Sequence, residues 1–504
     1  CFCVFVFLCF YITFMLVFTW VSAQLFFEKE TGDLLVSVKE IVFPIDDLSK
    51  DKLNDLNVVY PMDLYSLEPT LADPTTRQRL DNIYEPLVKF DRDLNIKPAL
   101  ALSWGMLDDL TWEFKLRPDV KFHDNTSLDL SDILVSFDRA MHFEKSELIG
   151  VLSTINKIET FDDDVFIIRT NEPDPLLLQR LTTVRIFPSE YENESNIPAI
   201  GTSSYKFVSW TPGEVMNLER FNDYWGHQSK FETVDIYTSV NKNERVQMFV
   251  DNFVDLLVFV PFDAVALLEA NRIATAKIPS LEVQFLLFNF DSEYFSDINN
   301  RKVFSLALNK KDLIDKVGGY ARSVNQFISN GVFGYNPDIE DHVYDLEEAI
   351  LLAEETEFVD KTIQMHLPIG LDVLGEFVRE SLAEVGVNVV VSYKEFTDLL
   401  LSIDEGLADI YFFGFKSELA DSSDFLNVIA KSDGIYNYSN YLNSDVDNYI
   451  ENSLTKIDQV SRIVDLQEAM RIIVEEDVIG VPLFEYETIF AFNDKLFLEP
   501  RIDG

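Results

Sequence analysis

The sequence predicts a mixed α/β fold in which helices cover a parallel sheet. Strand and helix patterns alternate across residues 346–415 with only short connections between them. The helical patterns there are amphipathic, with apolar residues returning every three or four positions. A length of 504 residues provides for two or three domain-sized cores.

Taken in order, residues 1–23 contain no charged side chain, and the run Phe2–Val21 is as long as a helix needs to cross a membrane. Val21-Ser22-Ala23 has the small-residue spacing of a signal-peptidase site, with cleavage before Gln24. A signal peptide or membrane anchor is therefore expected at 1–23, and an exported chain behind it. Cys9 lacks the small residues that precede a lipidated cysteine. Residues 24–56 are polar, show no sustained period, and read as a tether or extension. From Leu56 to Phe497 the pattern is globular.

DLSDILVSFDRAM (129–141) sets Leu130, Ile133, Leu134, Phe137 and Ala140 on one helical face, with Asp129 as N-cap and Asp132 closing a capping box. RKVFSLALNKKDLIDKV (301–317) reads as one helix stopped by Gly318-Gly319. The alternating stretch then runs helix 346–356, strand 361–367, helix 371–386 ended by Gly386, strand 388–393, helix 396–406 and strand 408–415. Open parallel sheets bind ligands beyond the carboxyl ends of their strands, which selects the loop after Phe413.

Composition narrows the function classes. The formal charge of −46, from 87 acidic and 41 basic residues, repels phosphate backbones and argues against nucleic-acid binding. It keeps the chain soluble, draws cationic solutes and repels anionic ones. Cys1, Cys3 and Cys9 are the only cysteines, so the globular part has no disulfide, thiolate metal site or cysteine nucleophile. The five histidines, His123, His142, His227, His342 and His366, include no pair at zinc-helix spacing. No Walker A loop, G-x-G-x-x-G or G-x-S-x-G occurs. With so many acids, a nearby carboxylate pair says nothing about glycosidase chemistry. No catalytic residue, metal or cofactor is implied.

A different set of blocks carries a resemblance. NIYEPLVKFD (82–91), PALALSW (98–104), FKLRPDVKFHDNT (114–126), the 129–141 helix, GTSSYKFVSWTPGE (201–214), LERFNDYW (218–225), the 301–317 stretch, NYSNYLNSDVD (437–447) and VPLFEYETIFAFN (481–493) occur in one order. That order resembles the family 5 bacterial extracellular solute-binding proteins, which include dipeptide and oligopeptide binders, over about residues 57–500. His123-Asp124-Asn125 reads as a turn with Asn125 at positive φ, where the family usually has Gly. Ser203-Ser204 replaces the Gly-Pro that the family often shows. Tyr205, Trp210, Tyr224 and Trp225 are expected in the core.

The resemblance implies the two-lobed type II periplasmic-binding-protein fold. A first lobe at 57–285 would contain a small inserted domain at about 76–195. A second lobe would span 286–483, and 484–504 would return to the first. The chain would cross near Phe288-Asn289-Phe290 and Val481-Pro482-Leu483. A peptide or other small solute would lie between the lobes and pass to an ABC importer permease, without catalysis and with the protein a monomer. A membrane-tethered sensor or chemoreceptor using the same lobes is the alternative, and an unrelated secreted hydrolase comes third. In the family's peptide binders an Asp pairs with the peptide ammonium; counting back from Phe425-Leu426-Asn427 puts Glu418 at that position. This is also the loop after Phe413. Composition alone treats Glu418 as one more solvated acid beside Asp421 and Asp424. Phe415 and Tyr486 are expected as walls of the site.

Overall fold

The computed structural model describes residues 54–340 and 343–502. The reading of 1–23 as signal or anchor, and of the 24–56 tether up to residue 53, lies outside the described residues; the end of that tether is corrected, because Asp55 and Leu56 open the strand Asp55–Tyr60.

One large sheet organises the chain. From one edge its strands are Asn388–Lys394, Thr362–Pro368, Ile410–Lys416, Ala274–Phe288, Gly480–Phe492, Leu256–Val258, Asp55–Tyr60, Thr233–Thr238, Val215–Arg220 and Tyr205–Thr211. The three strands expected from the 346–415 alternation are present and mutually parallel. Ile410–Lys416 then pairs antiparallel with Ala274–Phe288, so the sheet as a whole is mixed. Its far part repeats the theme, with Asp55–Tyr60 parallel to both of its neighbours.

The two longest strands, Ala274–Phe288 and Gly480–Phe492, join the halves as an antiparallel pair. Their ladder breaks between Pro279 and Val283, opposite Glu487 and Glu485. Pro279 has no N–H to donate, and Leu281 sits at φ +62°, a costly conformation for a side chain of that size. The break separates two packing environments. Before it, Ala276 and Ile278 pack with Val58, Leu218 and Ile236. Beyond it, every residue from Val283 to Phe288 is buried, because helices cover both sheet faces. Val303, Phe304, Leu374 and Phe377 meet one face; Leu399, Phe425, Ile450 and Leu466 meet the other.

Leu374, Phe377, Val378 and Leu382 of the helix Asp372–Glu384 are buried as their spacing predicts, and Gly386 follows at φ +85°. The expected single helix at 301–317 is instead two, Ile298–Leu306 and Lys310–Lys316. The physical reason is Asn309, whose side chain accepts from the Asp312 amide and caps the second helix.

A separate four-stranded antiparallel sheet runs Ala101–Asp108, Thr111–Leu116, Val165–Thr170, Ile155–Thr160. The helix Leu130–His142 packs with it through Ile133 and Phe137, around a core containing Phe114, Phe122 and Phe166. Its capping box forms: Asp129 accepts from Ser131, and Asp132 accepts from the Asp129 amide at 2.8 Å. Asn125 adopts φ +74° in the expected turn.

Candidate functional site: a cavity at the break in the long strands

A cavity of about 510 Å³ opens where the two long strands bend. Tyr60, Arg79, Arg245 and Phe259 line it from one half of the sheet, Val317 and Lys416 from the other, and Glu282 at the bend itself. Its volume falls in the range of small-molecule sites.

Two of its wall residues are buried arginines. Arg79, on the helix Pro74–Leu80, is 2% exposed; its guanidinium lies 3.4 Å from the Tyr60 ring centroid, and Nη2 donates to the Met62 carbonyl at 3.1 Å. Its Nη1 finds no acceptor. Arg245, on the helix Lys242–Val250, donates through Nη1 to the carbonyls of Ser239 and Val240 at 2.8 and 3.0 Å, while its Nε has no acceptor. Desolvation lowers the pKa of both, that of Arg245 to about 10. Sequence reasoning named neither arginine, nor Lys416.

None of the three predicted residues is among those lining this cavity. Glu418 lies two residues beyond Lys416 and accepts a hydrogen bond from Arg77 Nη1 at 2.9 Å, each side chain about one-fifth exposed. The pair ties the loop after Ile410–Lys416 to the helix Pro74–Leu80, across the break. Phe415 is partly buried and packs edge-on against Phe425, centroids 5.5 Å apart. Tyr486 is 3% exposed and sits in the core against Phe484 and Phe262, the latter a lining residue. Tyr486 therefore supports the wall from behind.

The reading of Asp421 and Asp424 as solvated acids is corrected. Asp421 is fully buried and receives both Arg462 Nη1 and Nη2, at 2.6 and 2.8 Å. Asp424 is partly exposed, accepts from the Leu419 amide at 3.0 Å, and has its carboxyl pushed up to about 7 by desolvation and the Asp421 charge. The two therefore differ from Glu418 in burial and partner.

Of the aromatics, Tyr205 is buried. Tyr224 and Trp225 are partly buried and both donate to Glu85, at 2.9 and 2.8 Å. Trp210, also partly buried, donates to Asp63 at 3.0 Å. His123 is buried between Ser203 O and the Gly201 amide, and desolvation lowers its pKa to about 4.

The family model for bacterial extracellular solute-binding proteins, family 5, matches residues 95–437. The chain belongs to that family. The glutathione-binding protein GsiB of Pectobacterium atrosepticum is 24% identical over 422 residues, covering 79% of this chain and 82% of the relative. HbpA2 of Haemophilus parasuis superposes with a TM-score of 0.80 at 19% identity, over 88% of this chain and 96% of that one. The periplasmic binding protein DppA of Helicobacter pylori, solved with the peptide STSA, superposes at 0.68 with 24% identity, over 87% and 94%. The fold is the type II periplasmic-binding-protein fold, two lobes with a small domain inserted in the first. Its function is to bind a solute outside the cytoplasm and deliver it to an ABC transporter permease. Nothing among these likenesses favours the sensor reading. Among the described residues no helix is long and apolar enough to cross a membrane.

Proposed function

We propose that the solute is a peptide or peptide-like molecule, enclosed in the cavity by hinge closure and released unchanged. The observation that carries this reading is the position of the cavity, walled from both sides of the break in the long strands. A hinge needs a few residues that absorb a backbone change, and the ladder is interrupted at Pro279–Glu282 opposite Glu485–Glu487, with a second register shift between Gln284 and Phe285. With the hinge there, the first lobe ends near residue 280 rather than 285. The final segment begins near 486 rather than 484. The small sheet and its helix form the inserted domain.

Glu418 takes the solute's ammonium, and Arg77 occupies that carboxylate until the solute arrives. Phe415 packs beside the loop that carries Glu418, and Tyr486 holds Phe262 in the wall. The peptide bound by Helicobacter pylori DppA and the glutathione-binding relative are consistent with this class. Residues 1–23 direct export and anchor the chain, which acts as a monomer. Mass spectrometry of solute released by denaturing the purified protein tests the class: short peptides or amide-linked amino acids are expected. A solute without peptide bonds would refute it.

A further inference from the structure

We propose that residues 496–502 form a strap that closes one end of the cavity, with Ile502 as the end wall that limits the length of the solute. This rests on the reading that the cavity holds the solute. Ile502 lines the cavity, although it lies beyond the last strand of the sheet. The strand Gly480–Phe492 ends in a turn at Asn493, whose side chain accepts from the Lys495 amide at 3.2 Å and donates to Asp255 at 2.6 Å. From there residues 496–501 belong to no helix or strand. Their burial nevertheless alternates: Leu496, Leu498, Pro500 and Ile502 are partly buried, while Phe497, Glu499 and Arg501 are exposed. A period of two means an extended chain with one face laid on the protein, and such a segment spans roughly 20 Å.

The strap touches both lobes. Leu498 packs against the first-lobe core containing Val58 and Leu218. Arg501 Nη2 donates to the Phe90 carbonyl at 2.9 Å, and Arg92 reaches Glu499 at 3.5 Å. Phe90 belongs to the hairpin of Val88–Phe90 with Ile96–Pro98. Beyond these contacts Ile502 packs against the second-lobe core containing Phe425. Leu94, between the hairpin's strands at φ +62°, packs against the same core. Hairpin and strap therefore cross from the first lobe to the second side by side. The lobes can part only if Ile502 leaves its seat. With no ladder to break, the strap can lift while the sheet stays whole. When it is seated, a side chain and not the sheet bounds the solute at that end.

Hydrogen exchange on the full chain in detergent tests the strap, with the co-purified solute bound and after stripping by unfolding and refolding. Amides of residues 496–502 should exchange about tenfold or more slowly with solute bound. The helix Pro74–Leu80, which carries Arg79, reports separately on whether the cavity holds the solute. Protection of the helix with an unchanged strap overturns the inference and leaves the cavity reading intact. Protection of neither overturns both, and protection of the strap alone overturns the inference, since the strap would then act apart from the cavity. Two variants test the wall and the fastening, with melting curves showing both folded. Offered a mixture of dipeptides through hexapeptides and read by native mass spectrometry, Ile502→Ala should retain longer peptides than the parent. Arg501→Gln keeps the wall and should release bound solute about fivefold faster. Unchanged lengths overturn the end wall, and unchanged release overturns the strap. If no peptide is retained, the release rate of the co-purified solute decides.

Discussion

Replacing Arg77 by Gln should tighten solute binding, which is unusual for the loss of an ion pair. Arg77 and Glu418 meet at 2.9 Å across the strand break, with side chains 20% and 17% exposed. Glu418 can take the solute's ammonium only by releasing Arg77. A pair still about one-fifth exposed lies toward the upper end of the roughly 0.2–1 kcal/mol of exposed pairs, so Arg77→Gln should tighten binding by about fivefold. Glu418→Gln removes a charge-assisted bond of about 1.5–3 kcal/mol and should weaken binding roughly 10- to 150-fold. Calorimetry with the recovered solute, alone and with its amine acetylated, reads both. Acetylation should weaken binding to the parent protein and matter little to the Glu418→Gln variant. Equal weakening by the two substitutions, with no effect of acetylation, would show that the pair is only a staple between lobes and refute the assignment.

Asp421→Asn leaves Arg462 buried without its counter-charge and should cost about 3–5 kcal/mol, measured by urea unfolding. A change under about 1 kcal/mol would mean the loop is solvated after all. Asp424 should give a pH signature. Its carboxyl is pushed up to about 7 in the folded protein, so its contribution is full below about pH 4 and lost as pH rises through 7. Asp424→Asn should flatten the melting temperature over that window; an unchanged profile contradicts the desolvation and the Asp421 repulsion assigned to it. Expressed with residues 1–23, the protein should sediment with membranes, and a soluble cytoplasmic form retaining the segment would refute export.

What could be read from the sequence follows from where its signals are local. Helical period placed Leu374, Phe377, Val378 and Leu382 in the core, and alternation gave the three parallel strands. The split at Ala307–Asn309 was also readable, since Asn309 followed by Asp312 is a helix start. The cavity was not. Arg79, Arg245 and Lys416 come from three distant segments, and no spacing rule links them. In the run Glu418 to Asp424 three acids look alike, yet Arg77, 341 residues away, and Arg462, 41 residues on, give two of them different fates. Whether Tyr486 is a wall or a core residue was hidden for a related reason. Strand 480–492 is almost wholly buried, so alternation cannot tell a wall residue from a core one.

Small-angle X-ray scattering with and without the recovered solute tests solute capture by hinge closure most directly. The account predicts a smaller radius of gyration on binding. It also predicts a stability gain of about 2.7 kcal/mol at a hundredfold excess over Kd, and solute recovered chemically unchanged. Saturated binding with no compaction would contradict the hinge at Pro279–Glu282, and steady conversion of the solute would contradict binding without turnover.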